Sequence, residues 1–259
     1  QGGVSGSIPA SIGNLTRLEY LSMSNQSLSG DLPETIQNLG SLRDLNLSGN
    51  RLSGELPPLS LPSLEYLTLN GNDFSGFAEC EGDCPMLKQL YLQNNELSGD
   101  VPTWLGNLGE LRNLNLSDNR LESLPREIEN GIWIKELRLD RNLLESLPDG
   151  IAGMPALKHL SAAENRIREI PASLGQSKNL ETLDLSQNHI DILPEELGNC
   201  PDLYQILFNG NELTHIPASF ANLRQGVQVW LQDNRISGEI PEGLMTSESD
   251  EIRPVRLDS

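Results

Sequence analysis

One eleven-residue pattern recurs along the whole chain at an almost constant interval. The pattern is Leu-x-x-Leu-x-Leu-x-x-Asn-x-Leu, and in residues 180–190 Leu183 and Leu185 alternate with the polar Asp184. Its asparagine position recurs from Gly2 in steps of 24, 24, 22, 23 and 24 residues, followed by five steps of 23. Such a period indicates stacked repeats, since a single repeat cannot bury its own leucines without neighbours.

The chemistry of the pattern predicts the shape of each repeat. Alternating leucines predict a short strand with one buried face, and the segments between strands would return along the outside as short helical, 3-10 or irregular turns. We therefore predict an α/β solenoid, a curved horseshoe with a single parallel β-sheet on its concave face. An asparagine side chain both donates and accepts hydrogen bonds. We expect a structural ladder of Asn50, Asn72, Asn95, Asn119, Asn142, Asn165, Asn188, Asn211 and Asn234.

The segments that follow the asparagines fall into two subtypes. Residues 52–57 read Leu-Ser-Gly-Glu-Leu-Pro, with similar segments at 28–33, 97–102 and 236–241, whereas residues 121–125 read Leu-Glu-Ser-Leu-Pro, with four similar segments after them. The chain resembles the leucine-rich repeat family over essentially its whole length. The first subtype is similar to that of plant receptor-kinase ectodomains and polygalacturonase-inhibiting proteins. The second is similar to the Leu-Pro subtype of bacterial repeat proteins and cytoplasmic scaffolds for small GTPases.

The extent of the repeat and the overall charge limit the remaining possibilities. We assign residues 1–246 to the solenoid, as about ten full repeats after an N-terminal partial repeat, and residues 247–259 to a polar C-terminal tail. Lys and Arg number 18 against 37 Asp and Glu, giving a formal net charge of −19. This charge excludes a generic binder of nucleic acid or anionic membranes. No apolar run approaches the ~20 residues that span a bilayer.

The strand positions that face outward can be written as columns, because equivalent residues of stacked repeats become neighbours. One column contains four consecutive cations in the middle of an acidic protein, which predicts a docking strip for an acidic partner; the alternative is a solvated row typical of the family. Tyrosine and tryptophan, which often anchor protein contacts, also occupy outward positions. The predicted ligand-binding residues of the concave face are Lys88, Arg112, Lys135, Lys158, Arg138, Tyr20, Tyr66, Tyr91, Tyr204 and Trp230.

Covalent chemistry is not expected of this chain. His159, Ser161 and Asp184 fall near one another in the predicted sheet, but an open sheet supplies neither an oxyanion hole nor a pocket. We predict a non-enzyme with no cofactor and no metal site. Cys84 precedes a strand as a small core residue, and a Cys80–Cys84 disulfide is an alternative in an oxidising compartment.

Compartment and function follow mainly from the resemblance. Four glycosylation sequons begin at Asn14, Asn25, Asn46 and Asn115, and the plant-type repeats imply an extracellular or receptor-ectodomain setting, with a cytoplasmic one as the alternative. We predict a module that recognises a protein or peptide on its concave face, as a receptor ectodomain fragment or secreted recognition protein. Three alternatives stay open: an inhibitor of an extracellular polysaccharide-degrading enzyme, an intracellular small-GTPase scaffold, and a structural or adhesion array.

Overall fold

A long parallel sheet dominates the computed structural model, which describes residues 3–57, 59–78, 84–237, 239–244 and 255–256. Consecutive repeats each contribute one short strand, and neighbouring strands are hydrogen-bonded in chain order. Within the described residues this main sheet contains Tyr20–Ser22, Asp44–Asn46, Tyr66–Thr68, Gln89–Tyr91, Asn113–Asn115, Glu136–Arg138, His159–Ser161, Thr182–Asp184, Gln205–Leu207, Gln228–Trp230 and Val255–Arg256. The predicted repeat solenoid with its parallel sheet is confirmed.

Two further parallel sheets accompany the main sheet, so a single sheet does not describe the fold. One has four strands, at Ser5–Gly6, Ser27–Asp31, Arg51–Leu56 and Asp73–Phe77, and the other pairs Ser98–Asp100 with Arg120–Ser123. Five of these six strands contain a Ser-Gly pair, whose small residues let adjacent extended backbones pair in parallel. The prediction missed them because the segments are too short and too rich in glycine and serine to show an alternating pattern.

Short 3-10 helices form the opposite, convex face. In the described residues each begins directly after a proline, whose fixed φ and missing N–H suit the first turn of a helix. Their bounds are Ala10–Asn14, Glu34–Asn38, Thr103–Asn107, Arg126–Asn130, Asp149–Gly153, Ala172–Gln176, Glu195–Asn199, Ala218–Asn222 and Glu242–Leu244. The expected helical or 3-10 turns on the convex side are therefore present.

The core is a continuous column of leucines between the two faces. Leu183 and Leu185 are fully buried, as are their equivalents in neighbouring repeats such as Leu137 and Leu160, which are at most 1% exposed. Burial of a leucine side chain contributes about 1.5–3 kcal/mol, and here every layer depends on the layer on either side of it. Stability is thus shared along the stack rather than held within any one repeat.

The repeated asparagines connect successive layers. Asn188 is 5% exposed, and its Nδ2 donates to Leu185 O in its own repeat and to Ala162 O in the previous one, both at 3.0 Å. Its Oδ1 accepts from the backbone N–H of Ile167, also at 3.0 Å. The asparagines from 50 to 234 follow the same scheme. Each one satisfies backbone groups of the turn that leaves the strand.

Part of the segment predicted as a tail belongs to the main sheet. Val255 and Arg256 pair in parallel with Val229 and Trp230. The sequence did not predict this pairing, because the acidic stretch at residues 247–251 interrupts the leucine pattern. None of the helices in the described residues is long and apolar enough to cross a bilayer.

Candidate ligand-binding face

The four cations of the predicted column lie side by side, each directly before one of four consecutive strands of the main sheet. The backbone N–H of Arg112 donates to Lys88 O at 2.9 Å, that of Lys135 to Arg112 O at 2.8 Å, and that of Lys158 to Lys135 O at 2.9 Å. Each cation is therefore linked to the next through the backbone, and adjacent strands of a sheet are about 4.8 Å apart. The structure brings these residues together as one row where the strands of the main sheet begin, and we call it the cation column.

Glutamates neutralise the two ends of the cation column. Lys88 Nζ lies 2.6 Å from Glu65 Oε2, and Lys158 pairs with Glu181 in the same way. These contacts lower the pKa of both glutamates and raise the pKa of Lys158, chiefly because the charged forms are hydrogen-bonded to each other. The sequence placed both glutamates in the same column, but it did not show that they would neutralise its ends.

The middle of the column is less compensated. The nearest carboxylate to Arg112 is that of Glu110, 3.9 Å away, and no carboxylate among the described residues lies within 4 Å of Lys135. Both side chains are exposed. Arg112 and Lys135 are therefore the cations of the column that a ligand can reach without first breaking a short ion pair.

A shallow polar groove runs beside the cation column. Arg138 pairs with Glu136, whose other oxygen accepts from Asn113 Nδ2 at 2.9 Å. These two residues line two adjoining depressions, one reaching to Tyr91 and the other, of about 520 Å³, reaching to Tyr204. Of the predicted binding residues, Arg138, Tyr91 and Tyr204 therefore line this groove.

The predicted aromatic residues differ in how far they are exposed. Tyr20 is 66% exposed, and Tyr66 and Tyr204 are each 37% exposed. Tyr91 is half-buried, and burial raises the pKa of its phenol. Trp230 is half-buried beside Leu207, its register partner on the neighbouring strand. Three of the four tyrosines are thus exposed to solvent, Tyr20 most of all.

The histidine, serine and aspartate in the centre of the sheet do not form a catalytic chain. Ser161 Oγ donates to Asp140, while His159 Nδ1 lies 2.9 Å from Thr182 Oγ1. Asp184 Oδ1 accepts from the backbone and hydroxyl of a serine at 3.0 and 2.7 Å. Burial and, to a smaller extent, the charge of Asp140 raise the pKa of Asp184. Ser161 and His159 thus hydrogen-bond to different partners and do not form a Ser–His–Asp chain.

The residues of the alternative disulfide and the sequons fall only partly within the described residues. Cys84 is buried with Sγ 3.0 Å from Leu59 O, whereas Cys80 lies outside the described residues. Among the sequon asparagines, Asn14 and Asn25 are exposed, the former at the end of a convex 3-10 helix. Asn46 and Asn115 are half-buried on the concave sheet, where each Oδ1 accepts from the backbone N–H two residues on. No group of three metal-ligating side chains occurs in the part of the chain that the structure describes.

Family comparisons agree with this geometry. Leucine rich repeat models match residues 134–190, a two-copy leucine rich repeat model matches 40–79, and a single-repeat model matches 17–39, 86–108 and 110–130. None of the curated proteins matches the chain. The chain belongs to the leucine-rich repeat family, as the sequence pattern predicted.

Solved structures identify individual proteins of the repeat family that this chain resembles. The chain is similar to the plant peptide hormone receptor RGFR1 in complex with RGF2, at 27% identity and a TM-score of 0.83, over 99% of this chain and 45% of that one. It is also similar to the Arabidopsis receptor kinase HAESA in complex with the peptide hormone IDA and the co-receptor SERK1, at 30% identity and 0.79, over 92% and 41%. A Leptospira interrogans leucine-rich repeat protein matches at 26% and 0.73, over 98% and 75%. The chain spans less than half the length of these plant receptor chains.

Proposed function

We propose that this chain is a non-catalytic recognition module that binds an acidic segment of a peptide or protein along its concave face. The observation that carries the proposal is the cation column, a row of four cations at the starts of neighbouring strands in a protein whose net charge is −19. Like charges on adjacent strands repel each other and cost stability. A bound carboxylate would reduce that repulsion, so the column would favour an acidic ligand.

The uneven pairing of the column indicates where the acidic group would bind. Lys88 and Lys158 already hold glutamates, whereas Arg112 has only Glu110 at 3.9 Å and Lys135 has no carboxylate within 4 Å among the described residues. An incoming Asp or Glu therefore gains most over the central two strands, next to the groove lined by Tyr91 and Arg138. The groove is open and shallow, which suits an extended peptide better than a small molecule enclosed on all sides.

The solved relatives support a peptide as the class of ligand. Two of them, RGFR1 and HAESA, are described in complex with the peptide hormones RGF2 and IDA. By extension from these receptors we propose an extracellular or receptor-ectodomain location for this chain. An exposed sequon at Asn14, on the face opposite the proposed ligand, is compatible with a glycan that leaves the concave side clear.

A displayed library of random peptides tests the proposal even though the natural ligand is unidentified. The peptides, displayed on phage, would be selected on the immobilised protein and then measured against variants of it. We expect the selected peptides to be enriched in Asp and Glu, and to bind at least about tenfold more weakly to the double variant Arg112→Ser, Lys135→Ser, in line with the loss of charged contacts in a binding site.

The matched control removes a cation from another surface. Lys178 is exposed on the turn that precedes its strand, so Lys178→Ser lowers the net charge by the same unit as one of the two substitutions without touching the column. Binding should be unchanged in this control. Selected peptides without acidic enrichment, or equal losses in the column and control variants, would contradict the proposal.

A further inference from the structure

Asp44 differs from the other acidic side chains on the concave strands of the described structure. Glu65 and Glu181 pair with lysines, Glu136 pairs with Arg138, and Asp184 accepts hydrogen bonds from a serine. The carboxylate of Asp44 has neither a hydrogen-bond donor nor a cation within ion-pairing distance among the described residues. It is nevertheless half-buried, and this burial raises its pKa.

The nearest cation does not compensate Asp44. Arg43 precedes it in the chain, but the Arg43 guanidinium is shared between Glu19, at 3.9 Å, and Glu65, at 3.5 Å. Those contacts direct the arginine along its own column, which runs parallel to the column that contains Asp44. The Asp44 carboxylate is thus partly shielded from water on the concave face and has no hydrogen-bond or ion-pair partner among the described residues.

Two tyrosines occupy the positions on either side of this carboxylate. Asp44 is the register partner of Tyr20 on one neighbouring strand and of Tyr66 on the other. The two rings are attached to strands two spacings apart, about 10 Å, and 66% and 37% of these residues are exposed. Two tyrosines on either side of one carboxylate supply the groups that attract a planar cation, by ion pairing with the carboxylate and by cation–π attraction to the rings.

We propose that Tyr20, Asp44 and Tyr66 form a subsite for the guanidinium group of a ligand arginine. Its plane matches a carboxylate in two-point fashion and stacks on aromatic rings, which a compact ammonium group does less well. The inference rests on the proposed function, since it places the same ligand along the concave face. It also gives the bound ligand a direction along the sheet. A basic residue of the ligand would lie over the first strands of the main sheet, and its acidic residues would lie over the cation column that follows.

The protein's four tyrosines provide a direct readout of this subsite. Protein labelled with ¹³C in the tyrosine rings would be titrated with Nα-acetyl-arginine amide, with each ring signal assigned through single Tyr→Phe variants. The uncharged isostere Nα-acetyl-citrulline amide serves as the ligand control. We expect saturable shifts at Tyr20 and Tyr66, none at Tyr91 and Tyr204, and none at any ring with citrulline.

Two isosteric variants complete the test. Asp44→Asn should weaken binding of the arginine amide at least about fivefold, and Asp184→Asn should leave it unchanged. Unaltered Tyr91 and Tyr204 signals in Asp44→Asn show that the variant is folded. Equal shifts at all four rings, no saturable shift, equal binding of citrulline, or a loss in Asp184→Asn instead of Asp44→Asn would overturn the subsite. None of these results depends on the peptide selection, so the acidic-ligand proposal stands or falls separately.

Discussion

Replacement of Asn188 by alanine tests the layer-to-layer hydrogen bonds with the least ambiguity. The carbonyl groups of Leu185 and Ala162 would keep a second donor, from Asn211 and Asn165 respectively. The backbone N–H of Ile167 would not, because in the described structure Asn188 Oδ1 is its acceptor. Asn188 Nδ2 also donates to Ser186 O at 3.1 Å, and that carbonyl would keep the backbone N–H of Glu164 as a donor. The substitution therefore strands one buried donor and removes two N–H donors that are shared among three carbonyls, all of which remain satisfied.

The expected cost follows from these contacts. A buried donor without a partner costs about 1–3 kcal/mol and each lost hydrogen bond about 0.5–1.5 kcal/mol, so Asn188→Ala should lower the free energy of unfolding by about 2–6 kcal/mol. Urea unfolding followed by circular dichroism measures this loss. Because repeats can unfold separately, hydrogen exchange of the Ile167 amide provides a local readout.

Asn222 provides the matched control. It lies exposed at the end of a convex 3-10 helix, and its side chain has no hydrogen bond within the described structure. Asn222→Ala should change the free energy of unfolding by no more than about 0.5 kcal/mol. A loss below about 1 kcal/mol for Asn188→Ala, or equal losses for both variants, would refute the reasoning that the ladder fastens the layers.

Three further predictions concern packing and titration. Gly175→Ala should destabilise the fold by about 1–3 kcal/mol, because a methyl group there would lie 2.1 Å from a backbone carbonyl of the next repeat, whereas Gly40→Ala meets nothing within 4 Å; thermal unfolding compares the two. Asp184→Asn should raise the free energy of unfolding at pH 7 by about 0.5–1 kcal/mol. The substitution removes a desolvated charge that Asp140 repels, and the amide oxygen can still accept the same hydrogen bonds. This gain should fade as the pH falls towards 3.8, because the wild-type carboxylate then becomes protonated. Burial raises the pKa of Cys200 from 9.0 to about 11, so the thiol ionises at a lower pH in the unfolded chain than in the folded one. The stability of the wild type relative to Cys200→Ala should therefore fall as the pH rises from about 9 to 11, which urea titrations at several pH values would measure.

The sequence was sufficient to predict the stack because its strongest signal is the interval itself. Leucines and asparagines at a fixed spacing have one physical solution, in which every layer buries its neighbours' apolar side chains. The four-stranded and two-stranded sheets were missed because their sequences carry no such periodic signal. Their Leu-Ser-Gly strands, such as Ser27–Asp31, are held by backbone pairing between repeats and carry no alternation of their own.

The candidate site was predictable in position but not in charge balance. Column membership follows from register, so Lys88 and Lys158 could be placed beside Arg112 and Lys135 from the spacing alone. Which carboxylate each cation meets depends on side-chain conformations that no periodicity encodes. Nothing in the spacing therefore indicated that Glu65 and Glu181 close the two ends of the column, or that Asp44 is left without a partner among the described residues.

Hydrogen-bond scalar couplings across the main sheet test the central claim, that the repeats stack in one continuous register, most directly. In deuterated protein labelled with ¹⁵N and ¹³C, we predict couplings from the Lys135 amide nitrogen to the Arg112 carbonyl carbon and from the Lys158 nitrogen to the Lys135 carbonyl carbon, matching backbone hydrogen bonds of 2.8 and 2.9 Å. Couplings to the carbonyl one residue earlier or later in the chain would move these cations out of a common row, and the account of the ligand-binding face would then be wrong.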